Sequence, residues 1–302
     1  MEPADSSRMN APTVFQGFWH GPPLGPVRAA CLDSFVRCGH AFELYVYDEI
    51  EVPRGVVLRD AVEIIPRSAI FYYENVHTGK KDLGPFSDLF RYKLLFDRGG
   101  WWSDVDTVCL SAQIPKVGRA WAGEYPEVHA EAIGTSQLAL PCGDPLAKLL
   151  YERCLELSKK NLHVRESLGP LLLSATIGEL RLPRDVFGDP DKFYPMRWIE
   201  MFKLWLPEYA DDLADRAARA LFMPIYQSVL QSAGLAWGPL PPRGSFLARV
   251  CDEAGIDGSD RYDALDIVEA TRRFFKGHGE WAVAELCAVG GEADLRFLDL
   301  GL

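Results

Sequence analysis

The sequence has no apolar run approaching the ~18 residues that a membrane-spanning helix requires. Residues 1–12 are polar, with Pro and Ser and no apolar h-region, so no signal peptide is expected there. The seven cysteines include no CxxC pair and their number is odd, which argues against a disulfide framework and against a zinc site. Cys109 and Cys287 lie in apolar surroundings and are expected to pack as small hydrophobes. Reduced thiols suit a cytosolic setting, so the expected protein is soluble and cytoplasmic. Positive charge is in deficit: 32 Lys and Arg against 43 Asp and Glu leave a formal charge of -11. A general nucleic-acid binder needs a basic footprint, so nucleic acid is not expected as a partner. An acidic chain can still bind a diphosphate if a divalent cation bridges the two. The glycines and prolines are scattered and no fixed-period repeat occurs, which excludes low-complexity and repeat architectures.

What is present reads as a folded α/β chain. At 302 residues and 48% hydrophobic content it can bury a sizeable core. Residues 14–19 form an aromatic and β-branched run ended by Gly21-Pro22-Pro23, which predicts a first buried strand. Pro26 opens a segment in which Val27, Ala30, Cys31, Ser34, Phe35 and Cys38 recur at helical spacing, closed by Gly39. Residues 42–47 read as a second strand, with Asp48 just past its end. Strand, helix and strand with so short a crossover predict a parallel βαβ unit. Ligands of such sheets bind beyond the carboxyl ends of the strands, where Phe18, Trp19, His20, Gly21 and Asp48 fall.

Residues 53–84 read as irregular, with a helix near 60–65. Phe71, Tyr72 and Tyr73 then lead into a polar stretch that fits either a loop over a site or a surface connection. Residues 85–98 predict a helix stopped by Gly99-Gly100, and 101–110 a strand interrupted by two acids. Further elements are expected as a strand at 131–140, helices at 144–158, 168–180 and 207–219, a strand at 221–225 and a helix at 226–233. The segment 237–244, WGPLPPRG, reads as a linker. The expected organisation is a flexible N-terminus (1–12), a main domain (13–244) and a helical cap or appendage (245–302).

The chemistry concentrates in residues 86–110, FSDLFRYKLLFDRGGWWSDVDTVCL. Asp104 and Asp106 are two apart, a spacing that places both carboxylates on one face of a regular strand. Such acids repel unless a cation lies between them, and hard oxygen ligands suit Mg2+ or Mn2+. Asp88 and Arg91, three apart, share a helix face. Arg91 offers a permanently charged fork of donors, and Asp88 can accept from sugar hydroxyls. From spacing alone, the same four residues also fit a helix-surface ion pair and two solvated acids.

The pattern S-D-x-x-R-Y-x-x-L-x-x-x-G-G-x-x-x-D-x-D, carried by Ser87, Asp88, Arg91, Tyr92, Leu95, Gly99, Gly100, Asp104 and Asp106, resembles the DXD-containing sugar-binding region of glycosyltransferase family 32. It is also similar to that of the large clostridial glucosylating toxins. The likeness extends over roughly residues 13–250, through FWHGPPLGP (18–26), SFVRCGHAFELYVYD (34–48), CGDP (142–145), Gly169-Pro170 and FYP (193–195). The resemblance implies a GT-A type fold with a mostly parallel central sheet flanked by helices. It implies retaining transfer of a sugar, with a UDP-hexose the expected donor, to a hydroxyl acceptor on a glycan, glycolipid or small molecule. It further implies that Asp106 binds Mn2+ or Mg2+ directly and that Asp104 contacts the cation's water, ribose or sugar. Asp88 and Arg91 would act on the donor sugar, Phe18 and Trp19 would lie near the base, and Ser87, Tyr92 and Gly100 would line the donor site.

One position departs from the family: Pro224 stands where a metal- or diphosphate-binding His is expected. Ser245 and His278 are the candidate substitutes. Two other readings stay open. Asp104-Val105-Asp106-Thr107-Val108 also matches the first motif of haloacid-dehalogenase-like phosphatases, with Asp104 as nucleophile, Asp106 as general acid and Asp211-Asp212 as the later acidic pair. Alternatively the chain is a non-catalytic nucleotide-sugar-binding protein. The stretch FLDLG (297–301) resembles a methyltransferase motif, but no such domain is expected to follow it, and an apolar terminal element is the simpler reading.

Overall fold

A computed structural model of the chain describes residues 12–74, 81–124, 132–160, 167–186, 189–227, 234–236 and 238–289, with side chains described as far as Lys276. Strand β1 (Val14–Trp19) and strand β2 (Ala41–Val46) pair in parallel through helix α1 (Gly25–Arg37), as the βαβ pattern predicts. Pro26 starts α1 at a position where its missing N–H costs nothing. After the helix, Gly39 takes a φ of +81° and returns the chain to the sheet.

Residues 53–84 are not wholly irregular, as expected, but contain an edge strand, β3 (Val56–Asp60), parallel to β2. Val57 and Arg59 are turned to solvent on this edge, and the run carries no clean alternation that would have marked it. The helix expected near 60–65 is a single 3-10 turn (Ala61–Glu63), opened by the Asp60 carboxylate accepting from the Val62 N–H at 2.8 Å. Two short strands, β4 (Tyr73–Glu74) and β5 (Lys81–Asp82), pair antiparallel before helix α2 (Gly84–Arg98).

The stretch 101–110 is two strands, not one. Strand β6 (Gly100–Ser103) joins the main sheet beside β1, whereas β7 (Thr107–Cys109) pairs elsewhere, with β9 (Phe222–Pro224). Asp104 and Asp106 occupy the turn between them, so a shared strand face is not what brings them together. Strand β8 (Gln137–Leu140) runs antiparallel to β6 and is shorter than the 131–140 expected. Helix α3 (Pro145–Leu157) is capped by Asp144, which accepts from the Leu146 N–H at 2.8 Å and pairs with Arg119. Helix α4 (Pro170–Glu179), helix α5 (Ala210–Ala217) and two C-terminal helices (Phe246–Glu253 and Ala264–Val289) follow. The helix expected at 226–233 lies mostly outside the described residues, as does 297–301, and the side chain of His278 is likewise outside them.

The main sheet has five strands in the order β3-β2-β1-β6-β8, parallel except for β8. Alternation along the strands feeds two cores. Phe18, Tyr45, Trp102 and Leu138 meet Phe86 and Phe90 of α2 and Leu146 of α3 on one face. Phe15, Phe42, Leu44 and Trp101 meet Phe35 of α1 and Phe222 of β9 on the other. Each fully buried aromatic of this kind contributes about 1.5–3 kcal/mol. A third cluster joins Val27 and Cys31 of α1 to Phe202, Leu247 and Phe275, so both C-terminal helices share a core with the sheet's first crossover helix. Leu240, within the expected linker, is buried and bridges to Arg261. Among the described residues no helix is long and apolar enough to cross a membrane.

The turn from α2 into β6 fixes where the acids will stand. Gly99 and Gly100 have φ of +66° and +93°, and a Cβ on Gly99 would lie 2.2 Å from the Cys142 backbone nitrogen. Gln16 ties β1 to this turn through its Nε2, which donates to the Gly99 carbonyl at 2.7 Å. Gly99→Ala is therefore expected to destabilise the fold by about 3 kcal/mol, the upper range for a single substitution. Thermal and urea denaturation would check it, and a wild-type melting temperature would show that the turn yields freely.

Candidate functional site

The strand order reverses at β1, with β2 and β3 on one side and β6 and β8 on the other. In open α/β sheets the crevice for a ligand forms outside the carboxyl ends of the strands at such a reversal. At that point Trp19 ends β1 and His20 follows it, and beyond β6 comes the turn Asp104-Val105-Asp106. Asp88, Arg91 and Asp104 meet here, and Asp106 follows Asp104 in the same turn.

Asp104 is held from three directions. Its N–H donates to the Ser136 carbonyl at 2.9 Å. Its Oδ1 accepts from Arg91 Nη2 at 2.9 Å and from the indole N–H of Trp102 at 2.7 Å. The other arm of the guanidinium donates to Asp88, and the guanidinium carbon lies 4.9 Å over the Trp102 ring. Side-chain exposure rises along the chain of contacts, from 4% at Arg91 and 10% at Asp88 to 29% at Asp104. Asp88 and Arg91 thus form a buried layer beneath an accessible carboxylate. Gly169, which opens α4, packs directly on this layer, since a Cβ there would stand 2.7 Å from Asp88 Oδ2. The amino end of α4 adds favourable partial charge beside the carboxylate.

Asp106 is held by the chain leaving β9. Its carbonyl accepts from the Ile225 N–H at 2.9 Å, and its Oδ2 accepts from the Gln227 N–H at 3.2 Å. Burial raises its carboxyl above the ordinary range and the Asp104 charge pushes the same way, while Arg28 and the Gln227 N–H oppose the rise. Arg28, from the first turns of α1, lies 4.9 Å over the Trp19 ring. Burial lowers Arg28 to about 10, with Asp106 acting against that fall.

The remaining expected residues are placed as follows. Trp19 is half-buried, donates from its indole N–H to the Pro22 carbonyl at 2.8 Å, and has one face under Arg28. Phe18 is corrected from a base-stacking residue to a core residue: it is 5% exposed and stacked on Phe90 at 4.4 Å. Tyr92 is likewise buried, its hydroxyl donating to the Gly169 carbonyl at 3.2 Å, so it shapes the layer around Asp88 and does not line an open site. Ser87 is half-buried in the first turn of α2, next to Asp88. Gly100 is corrected too. It sits at the amino end of β6, against Gln16, at the opposite end of the strand from Asp104. Ser245 is fully buried and serves as the cap of the helix Phe246–Glu253, accepting from the Ala248 N–H at 3.1 Å. Pro224 stands opposite Thr107 in the β7–β9 pair.

Three residues of this cluster escaped sequence reasoning: Arg28, Trp102 and Gln227. Arg28 carried a signal, because it shares the stripe Leu24, Cys31 and Phe35, where a cation is out of place on a buried helix face. Gln227 had none, since only the antiparallel approach of β9 brings it to Asp106.

Among the described residues no group of three or more His, Cys, Asp or Glu comes together that could hold a metal ion. A Cys- or His-rich transition-metal centre finds no home there. A hard cation held by one or two carboxylates, with other oxygens from a phosphate ligand, suits the donors present.

Asp106 also makes a stability prediction. A carboxyl whose folded pKa is raised holds its proton to higher pH in the folded state than in the unfolded one. It therefore costs stability once pH rises above the folded value, and costs nothing below the unfolded value. Asp106→Asn is expected to melt at a higher temperature than wild type near pH 7.5 without divalent cation, with the gain shrinking as pH is lowered. Melting curves across pH 4–8 would check this, and an unchanged or lowered melting temperature at pH 7.5 would contradict it.

No family model matches the chain, and no curated protein matches it. Among solved structures, PaToxG Glycosyltransferase aligns with a TM-score of 0.42 and 9% sequence identity, over 87% of this chain and 85% of that one.

Proposed function

We propose that the chain is a GT-A type glycosyltransferase. It moves a hexose-type sugar from a UDP-sugar to a hydroxyl acceptor, with retention and with Mn2+ or Mg2+. The observation that carries this reading is the Asp104–Asp106 turn at the carboxyl end of β6, at the sheet's point of reversal, braced from below by Arg91 and Asp88. Asp106 and Asp104 would hold the cation, whose chemistry is to neutralise charge on a departing diphosphate.

The chain's own residues then divide the work. Arg91 and the Trp102 N–H fix the orientation of Asp104, so this carboxylate need not reorganise when donor binds. Arg28 favours the ionised form of Asp106, the form in which it can ligate. Trp19 and His20 stand at the carboxyl end of β1 and would meet the nucleoside half of the donor. Asp88 and Arg91 act as positioning residues in this scheme, since their side chains are nearly closed to solvent. Arg91 engages both Asp88 and Asp104, which disfavours a double displacement through either, so a retaining transfer would proceed on one face of the sugar without a covalent intermediate on these acids. A phosphate oxygen of the leaving group would take the acceptor's proton on the same face of the sugar. The acceptor is a glycan, a glycolipid or a small molecule with a free hydroxyl.

The phosphatase reading loses its second acidic pair. Asp211 is 97% exposed and paired with Arg249, and Asp212 pairs with Arg216 along the outer face of α5. The non-catalytic reading keeps only the argument from Pro224.

Thermal-shift measurement with UDP, GDP and common nucleotide sugars, each with and without Mn2+, tests the proposal. A native-state ligand at a hundred times its Kd adds about 2.7 kcal/mol of stability. Stabilisation by a UDP-sugar that needs Mn2+, followed by slow release of UDP, is expected. No stabilisation by any nucleotide sugar in either condition would overturn the reading.

A further inference from the structure

Two carboxylates in one turn leave a divalent cation short of protein donors, and the His expected on the strand facing them is Pro224. The antiparallel pairing of β9 with β7 puts Pro224 opposite Thr107, where it closes the ladder and offers no side-chain ligand. The chain then continues along Asp106: the Ile225 N–H reaches its carbonyl and the Gln227 N–H reaches its Oδ2, at 2.9 and 3.2 Å. Gln227 is 3% exposed. Its side-chain oxygen, Oε1, is buried and has no hydrogen-bond partner among the described residues. Leaving such an oxygen unsatisfied costs about 1–3 kcal/mol, so its burial needs a reason.

We propose that the side-chain oxygen of Gln227 is a third protein donor to the divalent cation held by Asp104 and Asp106, in the role that Pro224 cannot fill. This rests on the reading of that turn as a cation site. An amide oxygen is a hard donor of the kind found in Mg2+, Ca2+ and Mn2+ coordination. Being neutral, it adds ligation without adding repulsion. A third carboxylate would raise the cost of keeping Asp104 and Asp106 both ionised, whereas an amide has no proton to exchange and leaves that cost unchanged. The backbone bond from Gln227 to Asp106 fixes the root of the side chain beside the carboxylate. An ordered water on Oε1 is the competing explanation, and it makes no claim on metal affinity.

The test is binding of Mn2+ alone to the full chain, followed by loss of the free-ion electron paramagnetic resonance signal, with melting curves for each variant. Wild type is compared with Gln227→Leu, Gln227→Asn and Asp106→Asn. Losing a metal-site group typically costs about 10–100-fold in affinity. The expected result is a Kd for Mn2+ raised at least about tenfold in Gln227→Leu, and also raised in Gln227→Asn, which keeps the amide but shortens its reach. Wild-type affinity in Gln227→Leu would overturn the inference while a loss in Asp106→Asn kept the cation site. If wild type takes up no Mn2+, the cation reading falls and this inference falls with it. If Gln227→Leu does not fold, Gln227→Asn decides: weakened binding in a folded variant supports the assignment, and unaltered binding removes it.

Discussion

The site depends on one buried guanidinium. Arg91 donates to Asp88 with one arm and to Asp104 with the other, beneath the Trp102 ring. An arginine can hold two carboxylates at fixed angles because its fork is planar and its charge permanent; a lysine at this position would supply neither property. Removing the arginine would strand Asp88 as a buried charge, the case in which breaking a pair costs about 3–5 kcal/mol. That single constraint couples α2, which carries Asp88 and Arg91, to the end of β6, which carries Asp104. Gly169 extends the coupling to α4, because only a residue without a side chain lets the backbone close on Asp88.

The second constraint is geometric. The acids occupy a turn because the chain changes sheets between β6 and β7. A continuous strand would have put them on a flat face with its pleat fixed. The turn gives each acid its own backing: Asp104 is braced from the main sheet and α2, and Asp106 from the strand pair β7–β9. The two carboxylates are therefore presented by separate parts of the core, and their relative placement is set by tertiary packing.

Much of this was legible in the sequence, and the limits of legibility are physical. The βαβ opening, α2 and its Gly-Gly stop follow from local pattern, because periodicity and positive-φ glycines act over a few residues. The grouping of Asp88, Arg91, Asp104 and Asp106 followed from spacing and a resemblance. The roles did not, since burial decides them: Phe18 and Tyr92 sit where a donor-site residue was expected, yet both are committed to the core. Strand β3 was missed because an edge strand needs only one buried face, and Val57 and Arg59 look outward. Gln227 was missed because its neighbour Asp106 is 121 residues away in sequence. Gly100 was misplaced because a motif records order along the chain, while a strand of β6's length separates its two ends in space.

The charge around the turn connects these parts to the composition. Asp88, Asp104 and Asp106 are opposed by Arg28 and Arg91, and this leaves the cluster one net negative charge. Such a cluster, in a chain of formal charge -11, repels a diphosphate. Under the proposed function, one divalent cation would reverse the sign of the cluster. On that reading an acidic protein would gain a local positive site only with the metal in place, and binding of nucleotide sugar and of cation would be mutually reinforcing. The neutral amide of Gln227 fits this balance where a carboxylate would not. On the same reading, a fourth acid would bring a metal-loaded cluster back to neutrality and remove the charge that would attract a diphosphate.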